Sequence, residues 1–339
     1  MLNRVYRLVS PRQFEPVEVE MTLGDQVIVR PTYLSLCNAD LRYYTGSRAP
    51  EVLASKLPMA LVHEGVGEVL FDPTNTFSSG ELVVMLPNQA NEENAHVAEN
   101  YLRTSSFCGS GTDGFMQEYV SLPKERVIAL PADIAPECAA FTELLSVAHQ
   151  AIARFQATAH GCRETLGVWG DGNVGYLVSL LLKIMMPNSR VIVFGKNPAK
   201  LADFTFVDDV CLVANAHNLS VDHAFECVGG SGAADAIDQI IDVIEPEGTV
   251  SLLGVTEQYV PINTRMVLEK GLRLVGNSRS AREDFMAVID LYRKHPEVMD
   301  YLRVLVYDVV PVQTVRQMSD AFELDIRKPM GKVVMAWNA

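Results

Sequence analysis

Through the first 140 residues the apolar positions come in short β-branched runs closed by turn residues. These are Gln26–Arg30, Gly65–Val69, Glu81–Met85 and Gly114–Val120, with Gly24-Asp25 and Gly80 between them. Such punctuation predicts many short strands in a barrel-like domain. The glycines of Gly65-Val66-Gly67 let that strand bend or approach another backbone. Near residue 145 the pattern changes. Thr165–Trp169, Val191–Phe194, Asp222–Val228, Thr249–Leu253 and Leu272–Gly276 are largely apolar runs, with helix-length stretches at Val174–Met186 and Ala234–Ile244. Apolar strands alternating with helices predict a parallel sheet covered on both faces. Helical stretches Asp284–His295 and Thr314–Asp325 and a strand Lys332–Trp337 follow.

At 339 residues the chain is long enough for about two domains. An apolar share of 48% supports a sizeable core, and 21% charged residues is too few for a disordered chain. The net charge of −14 argues against nucleic acid or an acidic membrane as partner. The longest apolar run, Tyr176–Met186, is interrupted by Lys183 and falls well short of the roughly 20 residues a bilayer needs. Met1–Pro16 carries Arg4, Arg7 and Arg12 and lacks the apolar core of a secretion signal. The six cysteines (Cys37, Cys108, Cys138, Cys162, Cys211, Cys227) form no CxxC pair and no disulfide framework. A reducing, cytoplasmic setting follows.

Gly170-Asp171-Gly172-Asn173-Val174-Gly175 fits G-x-G-x-x-G where a strand gives way to a helix, the context in which that pattern cradles a dinucleotide. The first glycine permits the tight turn, the second lets backbone approach a pyrophosphate, and the third lets helix and strand pack closely, with the helix N-terminus facing the phosphates. The acid that would bind a ribose 2′-hydroxyl about 20 residues on is missing. Gly195 stands there, followed by Lys196. Open space beside a cation favours a 2′-phosphate, hence NADPH, although Asp171 is another acid able to take the ribose.

Cys37 follows the apolar run Tyr33–Leu36, His63-Glu64 opens a glycine-bearing strand, and Glu143 precedes the second half. A catalytic zinc needs three ligands from thiolate, imidazole and carboxylate, with one position open. Cys37 and His63 supply two of them, and Glu64 and Glu143 both qualify as the third.

On Cys37-x-x-Asp40, His63-Glu64-Gly65-Val66-Gly67, Gly80-Glu-Leu-Val-Val84, Asp113–Tyr119, Glu143–Val147 and the glycine motif, the chain resembles the zinc-dependent medium-chain dehydrogenase/reductase family. The resemblance implies an α/β fold: a GroES-like β-barrel catalytic domain (1–145 plus 285–339) with an inserted Rossmann dinucleotide-binding domain (146–284). It also implies Cys37, His63 and Glu143 as ligands, with Glu64 in the inner or second sphere, and a homodimer paired through the Rossmann-like sheets. The departures are informative. The four-cysteine lobe for a structural zinc has no counterpart, which predicts one zinc ion. Ala39 and Arg42 stand where the alcohol dehydrogenases place a hydroxyl and a histidine for proton relay, and Val62 replaces the usual glycine before His63.

Arg42–Arg48, Lys56–Met59, Asp222–Gly230, Asn263–Gly271 and Ser278-Arg-Ser280 carry a closer resemblance, to the ribulose-5-phosphate reductases. That resemblance implies reduction of ribulose 5-phosphate to ribitol 5-phosphate for CDP-ribitol, supplying teichoic acid or capsule polymers alongside a cytidylyltransferase. Tyr43 is the candidate proton donor, and Arg42, Arg48 and Arg279 are candidates for the phosphate, which a guanidinium binds bidentately. Two rival readings are a zinc polyol dehydrogenase for an unphosphorylated sugar alcohol and a non-catalytic dinucleotide-binding protein.

Overall fold

The computed structural model describes residues 1–339, in two compact units: Met1–Ser146 with Ser280–Ala339, and Val147–Arg279.

The first unit is built on a seven-stranded sheet. Its central strand, Val27–Ser35, pairs antiparallel with Glu64–Phe71 on one side and Lys332–Trp337 on the other. Leu82–Met85 and Val127–Ala129 extend the sheet beyond the first, Val306–Val312 beyond the second, and Val120–Leu122 also pairs with the central strand. Gly67 is required by the closeness of its neighbour, since a Cβ there would stand 2.4 Å from the Arg30 carbonyl oxygen. The register decides where the chemistry lies. Ser35 is opposite Glu64 on one side and Val334 on the other, so Cys37, His63 and Lys332 all emerge at the same end of three adjacent strands. A second small sheet holds Leu2–Ser10, Gln13–Glu20 and Met59–Ala60. Phe14, Tyr44 and Phe322 pack ring on ring in the core beneath.

The run Gly114–Val120, expected as a strand, is not one: regular pairing begins only at Val120. The backbone N–H groups of Gly114, Phe115 and Met116 instead donate to the carbonyls of Ala60, Val62 and Leu61. A Cβ on Gly114 would lie 2.4 Å from two of those oxygens.

The second unit holds a six-stranded, wholly parallel sheet. Its spatial order is Asp209–Leu212, Arg190–Gly195, Thr165–Trp169, His223–Glu226, Thr249–Leu252, Arg273–Gly276. Numbered along the chain this is 3-2-1-4-5-6, the doubly wound order whose reversal beside the first strand opens a ligand crevice at the strands' carboxyl ends. Helices Asn173–Met185 and Ala233–Val243 pack on the sheet, and Trp169 stacks on Phe194 with centroids 3.9 Å apart. No helix is long and apolar enough to cross a membrane.

Candidate active site

Cys37 closes the central strand and caps the helix Asn38–Tyr44. Asp40, fully buried, joins this turn to the next ligand loop: its Oδ2 accepts the Cys37 N–H at 3.1 Å and its Oδ1 the Val62 N–H at 2.9 Å. The same Oδ1 lies 3.6 Å from His63 Nδ1 and so orients the imidazole, as carboxylates do behind metal-binding histidines. Val62 keeps the left-handed backbone of the glycine it replaces, at φ +69°. For a β-branched residue that conformation costs about 1–2 kcal/mol. It is held by the Asp40 bond and by the Phe115 N–H donating to the Val62 carbonyl at 2.7 Å.

The ligand atoms of Cys37, His63 and Glu64 lie within 4.8 Å of one another. Glu143, at the first turn of helix Thr142–Thr158, is buried nearby but outside that cluster. Burial pushes its carboxyl up to about 7, with His63 opposing and Glu64 adding to the rise. Burial works against a charged His63, yet Asp40 and Cys37 outweigh it and hold the imidazole pKa well above its usual value. So many acidic groups around one imidazole favour a bound cation. Sulfur, nitrogen and oxygen donors on three sides suit zinc, and His63 and Glu64 are both buried. These residues fit the metal.

Lys332, which the sequence reading missed, supplies the balancing positive charge. Its Nζ donates to Glu64 Oε1 at 2.9 Å and stands 2.7 Å from Oε2, with the two side chains 2% and 0% exposed. Burial disfavours its charge, but Glu64 and then Cys37 more than restore it. The one available signal was a lone lysine opening an otherwise apolar strand. Of the other expected residues, Tyr43 is buried in the core with the Arg48 guanidinium 4.8 Å above its ring. Arg42 is half-buried in the last turn of the same helix. Arg279, in the second unit, is half-buried with φ +60°.

In the second unit the glycine loop follows strand Thr165–Trp169, and a cavity of about 240 Å³ lies beside it. Gly170 has φ +131°, and a Cβ on Gly175 would sit 1.9 Å from the Gly170 carbonyl oxygen, whereas one on Gly172 would meet nothing within 4 Å. The first and third glycines serve the fold and the second leaves room for a ligand. Asn173 and Val174 begin the helix behind it. Gly195, Lys196 and, unanticipated, Lys200 line the cavity. Asp171 Oδ2 accepts the N–H groups of Lys196 and Asn197 at 2.7 and 2.8 Å, so this oxygen shapes the turn that carries Lys196.

Residues 24–132 match the alcohol dehydrogenase GroES-like domain and residues 173–294 the zinc-binding dehydrogenase domain. A ribulose-5-phosphate reductase of Bacillus spizizenii is 52% identical over the full length of both chains. The chain belongs to the zinc-binding dehydrogenases. Ribulose-5-phosphate reductase 1 of Staphylococcus aureus is 49% identical over 99% of each chain. The crystal structure of S. aureus TarJ in complex with NADPH superposes with a TM-score of 0.89 at 45% identity, covering 100% of both chains. The fold is that of a medium-chain dehydrogenase, with GroES-like and Rossmann-like parts, and the protein is an oxidoreductase.

Proposed function

We propose that this protein reduces D-ribulose 5-phosphate to D-ribitol 5-phosphate with NADPH and one zinc ion. The Cys37, His63 and Glu64 cluster carries the proposal, and the 52%-identical reductase supports the substrate. Bound there, zinc supplies a Lewis acid for the C2 carbonyl oxygen, and NADPH supplies the hydride. The chain's own residues set the stage. Asp40 orients the His63 ring, and Lys332 holds Glu64 in place, with Glu143 a second buried carboxylate nearby. The two cations at the cavity, Lys196 and Lys200, would receive the 2′-phosphate. Arg42, Arg48 and Arg279 are the candidates for the sugar phosphate. The proton comes from water or from Tyr43; with Ala39 in place there is no hydroxyl to relay it. If Tyr43→Phe turns over like wild type across pH, the tyrosine has no such role.

In this reading the first unit is catalytic and the second binds the dinucleotide. The protein works in the cytoplasm beside a cytidylyltransferase that consumes its product for CDP-ribitol, and thus for teichoic acid or capsule. A homodimer would pair through Arg273–Gly276, an edge strand of the parallel sheet, near which Leu268 is 80% exposed. The decisive experiment follows NADPH oxidation spectrophotometrically with ribulose 5-phosphate and with ribulose, and NADP+ reduction with sorbitol, together with metal analysis. Zinc at one per chain and turnover confined to the phosphorylated ketose is the expected result. Equal turnover of sorbitol overturns the reading in favour of a polyol dehydrogenase.

A further inference from the structure

A primary amide in the metal-bearing unit is buried with nothing in the protein to bind. Asn88 is 2% exposed, and neither its Oδ1 nor its Nδ2 has a hydrogen-bond partner. A primary amide offers two donors and two acceptor lone pairs, and leaving them dry is costly enough that native proteins keep few such groups without a reason. The location of this one supplies the reason. Asn88 sits in the short strand Asn88–Gln89, paired antiparallel with Ser106–Phe107, and is directly opposite Phe107. Residues so opposed carry their side chains on one face, with Cβ atoms about 4.5–5.5 Å apart. The Phe107 ring in turn packs against the imidazole of His63, centroids 5.3 Å apart. The rest of the ribbon is already committed: the Cys108 N–H donates to the Pro87 carbonyl at 3.0 Å, and Gln89 Nε2 donates to the Leu86 carbonyl at 3.2 Å. Asn88 is therefore held on the face that leads to a metal ligand, with its whole hydrogen-bonding capacity unspent.

We infer that Asn88 binds the substrate, its amide exchanging hydrogen bonds with hydroxyl groups of the ketose phosphate next to the reacting carbonyl. This rests on the substrate reading above. Sugar hydroxyls are donors and acceptors at once, which matches an amide presenting both. A phosphate calls for cations instead, and an apolar ligand would leave the amide as dry as before. A site built to hydrogen-bond a hydroxyl also rejects analogues that lack it, because its own polar group is then stranded. Asn88 would thus select polyhydroxylated substrates as well as hold them.

The test uses the zinc-loaded enzyme and the nearly isosteric variant Asn88→Leu. Thermal unfolding is recorded with and without ribulose 5-phosphate, and KM is measured for both substrates. Because the amide has no partner inside the protein, the variant without substrate should melt no lower than wild type. Its substrate-induced rise in Tm should be lost, and KM for ribulose 5-phosphate should climb about tenfold or more while KM for NADPH stays unchanged. A fall of more than about 3 °C in the substrate-free variant would reveal a structural role and overturn the inference. So would a variant that keeps the wild-type rise and KM. A wild-type enzyme that neither shifts nor turns over with ribulose 5-phosphate overturns the substrate reading, and this assignment with it.

Discussion

Replacing Lys332 by methionine removes the only cation paired with Glu64 and leaves a carboxylate with 0% exposure. At 2.7 Å and an effective dielectric constant near 20, the attraction lost is about 6 kcal/mol before solvation is counted. The measured cost of orphaning one partner of a buried pair is about 3–5 kcal/mol. For a unit of this size each kcal/mol moves Tm by about 2–4 °C, so the melting temperature should fall by roughly 6–20 °C. Glu64→Gln alone should be similarly damaging, since it strands the ammonium. The double variant Lys332→Met/Glu64→Gln removes both charges of the pair and should recover most of the loss, because apolar or neutral replacements of whole buried pairs are close to neutral. The cycle is best run by denaturant and thermal unfolding with metal chelated, so that no ion takes up the stranded charge. Additive costs in the double variant, or a Lys332→Met cost below about 1 kcal/mol, would refute the pairing as an energetic unit.

Three further outcomes follow from other parts of the molecule. His223 is held neutral on both nitrogens, with Nε2–H donating to the Cys162 carbonyl at 2.9 Å and Nδ1 accepting the Thr249 N–H at 3.0 Å. Burial, with His160 beside it, lowers its pKa to about 4 from 6.5. The unfolded chain therefore takes the proton first, and stability present above pH 6.5 is lost as pH falls toward 4, by at most about 3 kcal/mol. Unfolding free energies of His223→Gln should be flatter over that window, and an unchanged slope counts against the assignment. Gly175→Ala places a Cβ against the Gly170 carbonyl, so it should cost about 1–3 kcal/mol of stability and sharply weaken NADPH binding by calorimetry. Lys196→Ala should raise KM for NADPH about tenfold and leave that for NADH alone; equal changes for both would remove Lys196 from 2′-phosphate recognition.

The glycine loop of the candidate dinucleotide site was legible because its demands are local. A turn with φ +131° at Gly170, and a position at Gly175 where a Cβ would stand 1.9 Å from a carbonyl oxygen, suit only glycine, so the letters themselves report the geometry. Strands buried on both faces were equally plain, since they read as nearly continuous apolar runs. The hairpin Leu2–Ser10 with Gln13–Glu20 was obscured by its outward positions, where Arg4, Arg7, Glu15 and Glu18 read as polar chain. Gly114–Tyr119 looked like a strand but bonds to the end of the short strand Met59–Ala60 and the irregular Leu61-Val62 after it, and no periodicity encodes that partner. At the candidate metal site Cys37 and His63-Glu64 stood out by type and order. Lys332 did not, because its meaning lies in a carboxylate 268 residues earlier. Asn88 was invisible for a different reason: an unpaired amide is a property of surroundings, and a string of letters has none.

That span of 268 residues has a consequence for how the protein comes into being. Chains emerge N-terminal end first, and units fold as their residues become available. The second unit, Val147–Arg279, is continuous and can close as soon as it leaves the ribosome. The first cannot. Its central strand Val27–Ser35 lacks one neighbour until Lys332–Trp337 arrives, and until then Glu64 faces burial without its ammonium. Cys37 and His63 are therefore translated among the earliest residues yet are fixed among the last. A nascent chain stalled before residue 332 would carry a finished parallel sheet joined to an open half in which Glu64 still lacks its cation.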